Sequence, residues 1–140
     1  MQVTSQTINR AQTERQLRDL GVAAIVLFGS QLTARSGPLS DTDLAILLHE
    51  PIDRHRTVAL AAELEPLLAA LVPMAHQLEV TILNTAPVSL QLEVMRHGRI
   101  LAAYDALALA QFRELVMDRA GDLRPFLRAY CADRLRGLYA

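Results

Sequence analysis

Two groups of residues in the first third of the chain have types and spacing suited to phosphate chemistry. Gly29-Ser30 ends an apolar run, and Asp41 and Asp43 stand at the head of the next, with ten residues between Ser30 and Asp41. Along a strand, positions two apart point to the same side, so Asp41 and Asp43 present both carboxylates to one place. Two like charges held together are unfavourable unless a cation sits between them. Magnesium meets that need, because it takes oxygen ligands and travels with phosphates. Gly29 complements the pair: lacking a Cβ, it lets backbone N–H groups approach a triphosphate, and Ser30 adds a hydroxyl donor where a helix is expected to start. The bland alternative is a turn followed by a solvated loop. Average residue frequencies produce this spacing by chance in only about one chain of this length per thousand, which favours the chemical reading.

The elements that must position these groups can be read from the apolar pattern. Val22 to Phe28 and Leu44 to Leu48 are short runs of strand type, the first buried on both faces, and Leu78 to Leu83 is a third. Residues 1 to 9 are polar and read as frayed or as a cap for a helix over Ala11 to Leu20, which stops at Gly21. Arg54 to Leu71 has the recurrence of an amphipathic helix that Pro66 should kink or divide. Val88 to His97 is a second helix ending at Gly98, and Ile100 to Ala103 suits an edge strand. From Asp105 to Tyr139 the pattern is helical, interrupted near Gly121 and Pro125, with Asp122 as a cap for the second half. This is one α/β domain over residues 1 to 140 with a helical C-terminal arm.

Composition removes many alternatives. The chain has 140 residues, 51% of them hydrophobic and 21% charged, enough for a folded core. All 14 basic residues are Arg, with no Lys, so a Walker A loop, a kinase phosphate-anchoring lysine and a PLP Schiff base are excluded. A net charge of −1 gives no basic excess for wrapping DNA or RNA. The N-terminus lacks a signal pattern and no apolar run is long enough to span a membrane, so a cytoplasmic protein is expected. Cys131 is the one cysteine, which precludes an intramolecular disulfide.

The spacing Gly-Ser, ten residues, Asp-x-Asp resembles the signature of the nucleotidyltransferase superfamily related to DNA polymerase β. The chain's length is similar to that of its minimal members, the MNT proteins. The segment "LNTAPVSLQLEVMRHGRILAAYD" is similar to that following the third strand in MNT antitoxins paired with HEPN-type toxins. The resemblance runs from about Val22 to Asp105, and more loosely to the C-terminus. It implies a small mixed sheet flanked by helices and a third carboxylate on a later strand, for which the candidate is Glu79, where the family more often has Asp. Relatives often show an Arg-Gly step after Gly-Ser; here Arg35 either serves the phosphates from a shifted place or is a solvated loop cation.

The resemblance further implies a magnesium-dependent enzyme, with two ions held by Asp41, Asp43 and Glu79, and with Gly29, Ser30 and Arg35 binding the nucleotide. ATP is the implied donor and a tyrosine of a partner HEPN ribonuclease toxin the implied acceptor, an antitoxin acting by AMPylation. A small hydroxylated acceptor, and a silent antitoxin that acts by occlusion, are the competing readings. Other polar candidates have ordinary roles. His49, His55, His76 and His97 show no ligand spacing. Arg96, His97 and Arg99 around Gly98 suit a helix C-terminus or contact with a nucleotide or partner. Cys131 is expected to be a buried structural thiol. The apolar stripe from Phe112 to Leu138 mostly covers the sheet, with part available to a partner.

Overall fold

The computed structural model describes residues 2–29, 42–73 and 77–122, with side chains from Asn9 to Gly121. The element order is α1 (Gln2–Asp19), β1 (Val22–Phe28), β2 (Thr42–Leu48), α2 (Arg54–Leu71), β3 (Leu78–Ile82), a 3-10 turn (Leu83–Thr85), α3 (Val88–His97), β4 (Arg99–Ala103) and α4 (Ala106–Asp122). The strands form one mixed sheet ordered β3-β2-β1-β4. β1 pairs antiparallel with β2 and β4, while β2 and β3 run parallel. The expected α/β class, mixed sheet and β4 edge are therefore present.

The two sheet faces carry separate cores. Leu44, Ile46 and Leu48 of β2 point with Ile25 and Ile82 toward Leu17 of α1 and Leu64 and Leu68 of α2. Ala45 and Leu47 point the other way with Ala24 and Val26, against Val94 of α3 and Phe112 of α4. Alternate residues are thus buried on opposite sides, which explains why β1 and β2 read as continuous apolar runs. At the far end of β2, Asn84 substitutes for a neighbouring strand. Its Oδ1 accepts from Leu48 N at 2.8 Å and its Nδ2 donates to Leu48 O at 3.0 Å, which ties the turn after β3 to β2.

Two helix expectations are corrected. Helix α1 starts at Gln2, not near Ala11, so residues 2 to 9 are helical rather than a frayed cap. Once Leu17 anchors the C-terminal end, extending a helix through Gln, Thr, Ser and Asn adds one hydrogen bond per residue, and no Gly or Pro stops it. Helix α2 runs undivided through Pro66. Both Pro66 and Ala62, whose carbonyl loses its donor, lie on the exposed side, where water serves the carbonyl, and fully buried Leu64 and Leu68 hold the helix on either side. β2 also begins earlier than expected, at Thr42, and β3 ends one residue earlier, at Ile82.

Helix α4 is capped by Asp105, whose Oδ1 accepts from Ala108 N at 3.0 Å. The other oxygen, Oδ2, lies 3.1 Å from His49 Nδ1. Of the expected C-terminal stripe, Val116 is buried and Leu115 is 45% exposed. Phe126, Leu127, Tyr130, Cys131, Leu135 and Leu138 lie outside the described residues, as do His76, Pro125 and the second half of the arm that Asp122 was expected to cap.

Removing the Leu64 side chain leaves a cavity between α2 and the sheet, so Leu64→Ala should cost about 2–5 kcal/mol in urea unfolding. Tyr104 behaves oppositely. Its hydroxyl is buried without a hydrogen-bond partner among the described residues, and the Arg18 guanidinium lies 4.8 Å from the ring centre. Tyr104→Phe keeps the ring and removes the unsatisfied oxygen, so it should leave stability unchanged or raise it by about 1 kcal/mol. Burial, then the Glu14 carboxylate, raise the Tyr104 pKa, against smaller lowering by Arg18 and Arg10. The unfolded chain therefore ionises first: wild type holds this contribution below pH ~10 and loses it as pH rises further, a loss that Tyr104→Phe should lack.

Candidate functional site

The sheet brings three of the six candidates together at one end. In the parallel β2–β3 ladder Asp43 and Glu79 are direct Cα partners, and in the antiparallel β1–β2 ladder Asp43 is opposite Phe28. Residues directly opposite in neighbouring strands lie on the same face at a spacing of about 5 Å. The alternation 43, 45, 47 puts both carboxylates on the face covered further along by α3 and α4. Thr42 N donates to Gln77 O at 2.8 Å, which fixes the start of the β2–β3 register one residue before the acidic pair. Asp43 is half-buried and Glu79 is exposed, so the pair sits where the sheet meets solvent.

Gly29 completes this end. Its φ of +83° lies in the left-handed region, and a Cβ built there would collide with Asp43 Oδ2 and come within 3.1 Å of Asp43 Cγ. Glycine is thus required twice, for backbone conformation and for the approach of its Cα to the carboxylate. On the other side of β1, Arg99 of β4 pairs with Leu27, so the start of β4 reaches the same end of the sheet.

Ser30, Arg35 and Asp41 lie outside the described residues. Chain connectivity alone makes Ser30 follow Gly29 and Asp41 precede Thr42. Among the described residues no group of three or more His, Cys, Asp and Glu side chains is arranged to hold a metal. Asp43 and Glu79 supply two hard oxygen donors of the type magnesium takes, and a third would have to come from elsewhere. The described histidines hold no such site: His49 is paired with Asp105, while His55 and His97 are exposed. No helix among the described residues is long and apolar enough to cross a membrane.

The spacing within 29–43 drew attention to the right strands but not to the contact between Gly29 and Asp43, which arises from pairing across β1 and β2. Asp105 as a cap and as the partner of His49 had only a weak signal, an Asp just before an apolar helical run.

The family model for polymerase beta nucleotidyltransferases matches residues 11–106. None of the curated proteins matches the chain in sequence. Among solved structures, the chain is similar to one of a tri-AMPylated Shewanella oneidensis HEPN toxin in complex with MNT antitoxin. Identity is 22% and the TM-score 0.59, covering 93% of this chain and 98% of the other. A toxin–antitoxin structure with AMP-PNP matches at 23% identity and a TM-score of 0.58, covering 94% and 99%. A third, of a MntA–HepT toxin–antitoxin, matches at 22% and 0.53, covering 96% and 99%. At these identities the likeness is one of fold.

The Gly29–Asp43 contact is directly testable. Gly29→Ala should lose about 1–2 kcal/mol through its positive φ and force the carboxylate to turn away. Adding Asp43→Ala should recover the part due to collision. A double-mutant cycle from denaturant unfolding reads this as a non-zero coupling, and strict additivity would show that the two residues do not touch.

Proposed function

Because the chain belongs to the polymerase beta nucleotidyltransferase family, we propose that it is an antitoxin-type protein adenylyltransferase. In this reading it transfers AMP from ATP to a tyrosine hydroxyl of a partner HEPN ribonuclease toxin. The observation that carries the proposal is the in-register pair Asp43 and Glu79 beside Gly29, at the open end of the sheet. The neighbouring MNT chains support the partner class, since they are bound to HEPN toxins, one of them tri-AMPylated. The AMP-PNP complex supports a nucleoside triphosphate as donor. Those chains are matched over nearly their whole length, which favours an acceptor of the protein class they are bound to over a small molecule that needs an additional lobe to enclose it.

The tyrosine oxygen attacks the α-phosphorus of ATP and forms a new P–O bond. The bond to the β-phosphate's bridging oxygen breaks, and pyrophosphate leaves with the electron pair. Glu79, the exposed member of the pair, accepts the hydroxyl proton. Asp43 is held by the β2 register, and together with Asp41 and Glu79 it would supply the oxygen ligands for two magnesium ions. Bound magnesium supplies charge neutralisation on the triphosphate and the leaving group. Gly29 admits the phosphates close to the backbone, with Ser30 donating to them and Arg35 balancing their charge. The carboxylates are the wrong sign for that task and the chain has no lysine, so cation supply falls to the metal and to arginine.

Incubation with labelled ATP, magnesium and a HEPN protein encoded beside this chain tests the proposal. Asp41→Asn and Asp43→Asn should each reduce transfer to background, and Glu79→Gln should lower it by about 10²–10⁴-fold. Chelating the metal should leave no residual rate. Transfer that survives the double aspartate variant would sink the catalytic assignment. Full protection of cells by that variant would instead favour neutralisation by occlusion.

A further inference from the structure

A cavity of about 370 Å³ opens between α3, β4 and α4, beside the carboxylate end of the sheet. Its floor is Val26 of β1, its walls include Met95, Ile100 and Leu109, and two arginines line it, Arg96 from α3 and Arg113 from α4. No carboxylate is among its described lining residues, and neither arginine forms an ion pair with a described residue. The volume lies at the low end of the range for small-ligand pockets, about 300–1,000 Å³. An apolar slot bounded by two guanidinium groups suits a ligand with a flat apolar body and an anionic group. Arginine can stack on the one and hydrogen-bond the other bidentately.

Its position narrows the ligand. Val26 shares a sheet face with Phe28, whose strand partner is Asp43. Two residues along β1 at ~3.4 Å each and one strand across at ~4.8 Å put Val26 roughly 8 Å from Asp43, Cα to Cα. Ile100, the β4 partner of Val26, lines the same cavity, whereas Arg99 pairs with Leu27 of the opposite face. The floor of the slot therefore lies one strand from Asp43, and a group held there can extend toward the carboxylates without occupying them. Gly98 allows this close packing, since a Cβ there would strike Val94 O and Val26 Cγ1.

We propose that the slot between Arg96 and Arg113 binds a nucleoside monophosphate, specifically an adenylate already attached to the acceptor, so that a further AMP can be added to it. The proposal rests on the adenylyltransferase reading above. In the second transfer a ribose hydroxyl of the attached adenylate replaces the tyrosine oxygen as nucleophile. Its oxygen bonds to the α-phosphorus of a new ATP, the α–β P–O bond breaks, and pyrophosphate leaves with the electron pair. The hydroxyl proton passes to Glu79. Arg96 and Arg113 hold the phosphodiester formed in the first round, and the apolar walls hold the adenine.

Free AMP is the probe, titrated by calorimetry into the full-length chain with magnesium and saturating AMP-PNP occupying the triphosphate site. Wild type should bind one AMP, Arg96→Ala and Arg113→Ala should each weaken binding about tenfold or more, and Arg56→Ala should match wild type. Exclusion of AMP by AMP-PNP, or unchanged binding by both arginine variants, overturns the proposal. In parallel, intact mass of a modified HEPN acceptor gives the ratio of second to first addition, which should fall at least about tenfold in Arg96→Ala/Arg113→Ala. If the double variant instead loses complex formation with the acceptor while binding AMP normally, the slot belongs to an acidic segment of the partner and the proposal fails. Absence of any transfer by wild type would remove the adenylyltransferase reading, while arginine-dependent AMP binding would still establish the slot as a nucleotide site.

Discussion

The Asp43 carboxylate occupies the space that a side chain at position 29 would need, and this end of the sheet is arranged around that contact. It requires glycine at the end of β1, in a conformation other residues reach only with strain. It also requires β1 and β2 to pair so that Phe28 faces Asp43, which in turn depends on burying alternate residues of both strands on opposite sides. A slip of one residue in β2 would carry Asp43 to the α1–α2 face and put Leu44 beside Gly29. The two separate cores therefore specify the position of one carboxylate.

The β2–β3 register extends the same constraint to Glu79. Thr42 N bonds to Gln77 O at one end and Asn84 grips Leu48 at the other, so β3 is fixed to β2 at both ends of the ladder. With register fixed, placing Glu79 beside Asp43 follows from counting residues. Glutamate here has one methylene more than the aspartate usual in the family, and a more exposed position at the sheet margin gives it room to use that reach.

Much of the fold was legible because its signals are local. β1, α2 and α3 coincide with the runs Val22–Phe28, Arg54–Leu71 and Val88–His97, since apolar period and flanking Gly or Pro mark each one. The first half of α1 was not legible: residues 2 to 9 have no apolar face, and their helicity is inherited from an end anchored by Leu17. Pro66 misled for the reverse reason, because a missing hydrogen bond costs little on a wet helix face. In the site, Gly29, Asp43 and Glu79 were each identifiable, Glu79 only through family resemblance. Parallel pairing between strands separated by a helix leaves no pattern in either strand. The slot with Arg113 was invisible for the same reason, as its walls come from four elements.

The arrangement has an energetic cost that clarifies the division of labour among charges. Two carboxylates facing each other across adjacent strands repel, and a fold selected for stability alone would favour a neutral or oppositely charged partner at one of these positions. In the proposed reading, cationic charge brought in with a nucleotide would reduce this repulsion and couple binding to the stability of this end of the sheet. Permanent positive charge placed among the carboxylates would relieve it too, but would compete with the metal for them. Arg96 and Arg113 would avoid that competition, because they come from α3 and α4, a strand beyond Asp43, and line a separate cavity. In the proposed reading the absence of lysine divides the charges: acidic groups at the sheet end would gather metal, and arginines set aside from them would receive anions.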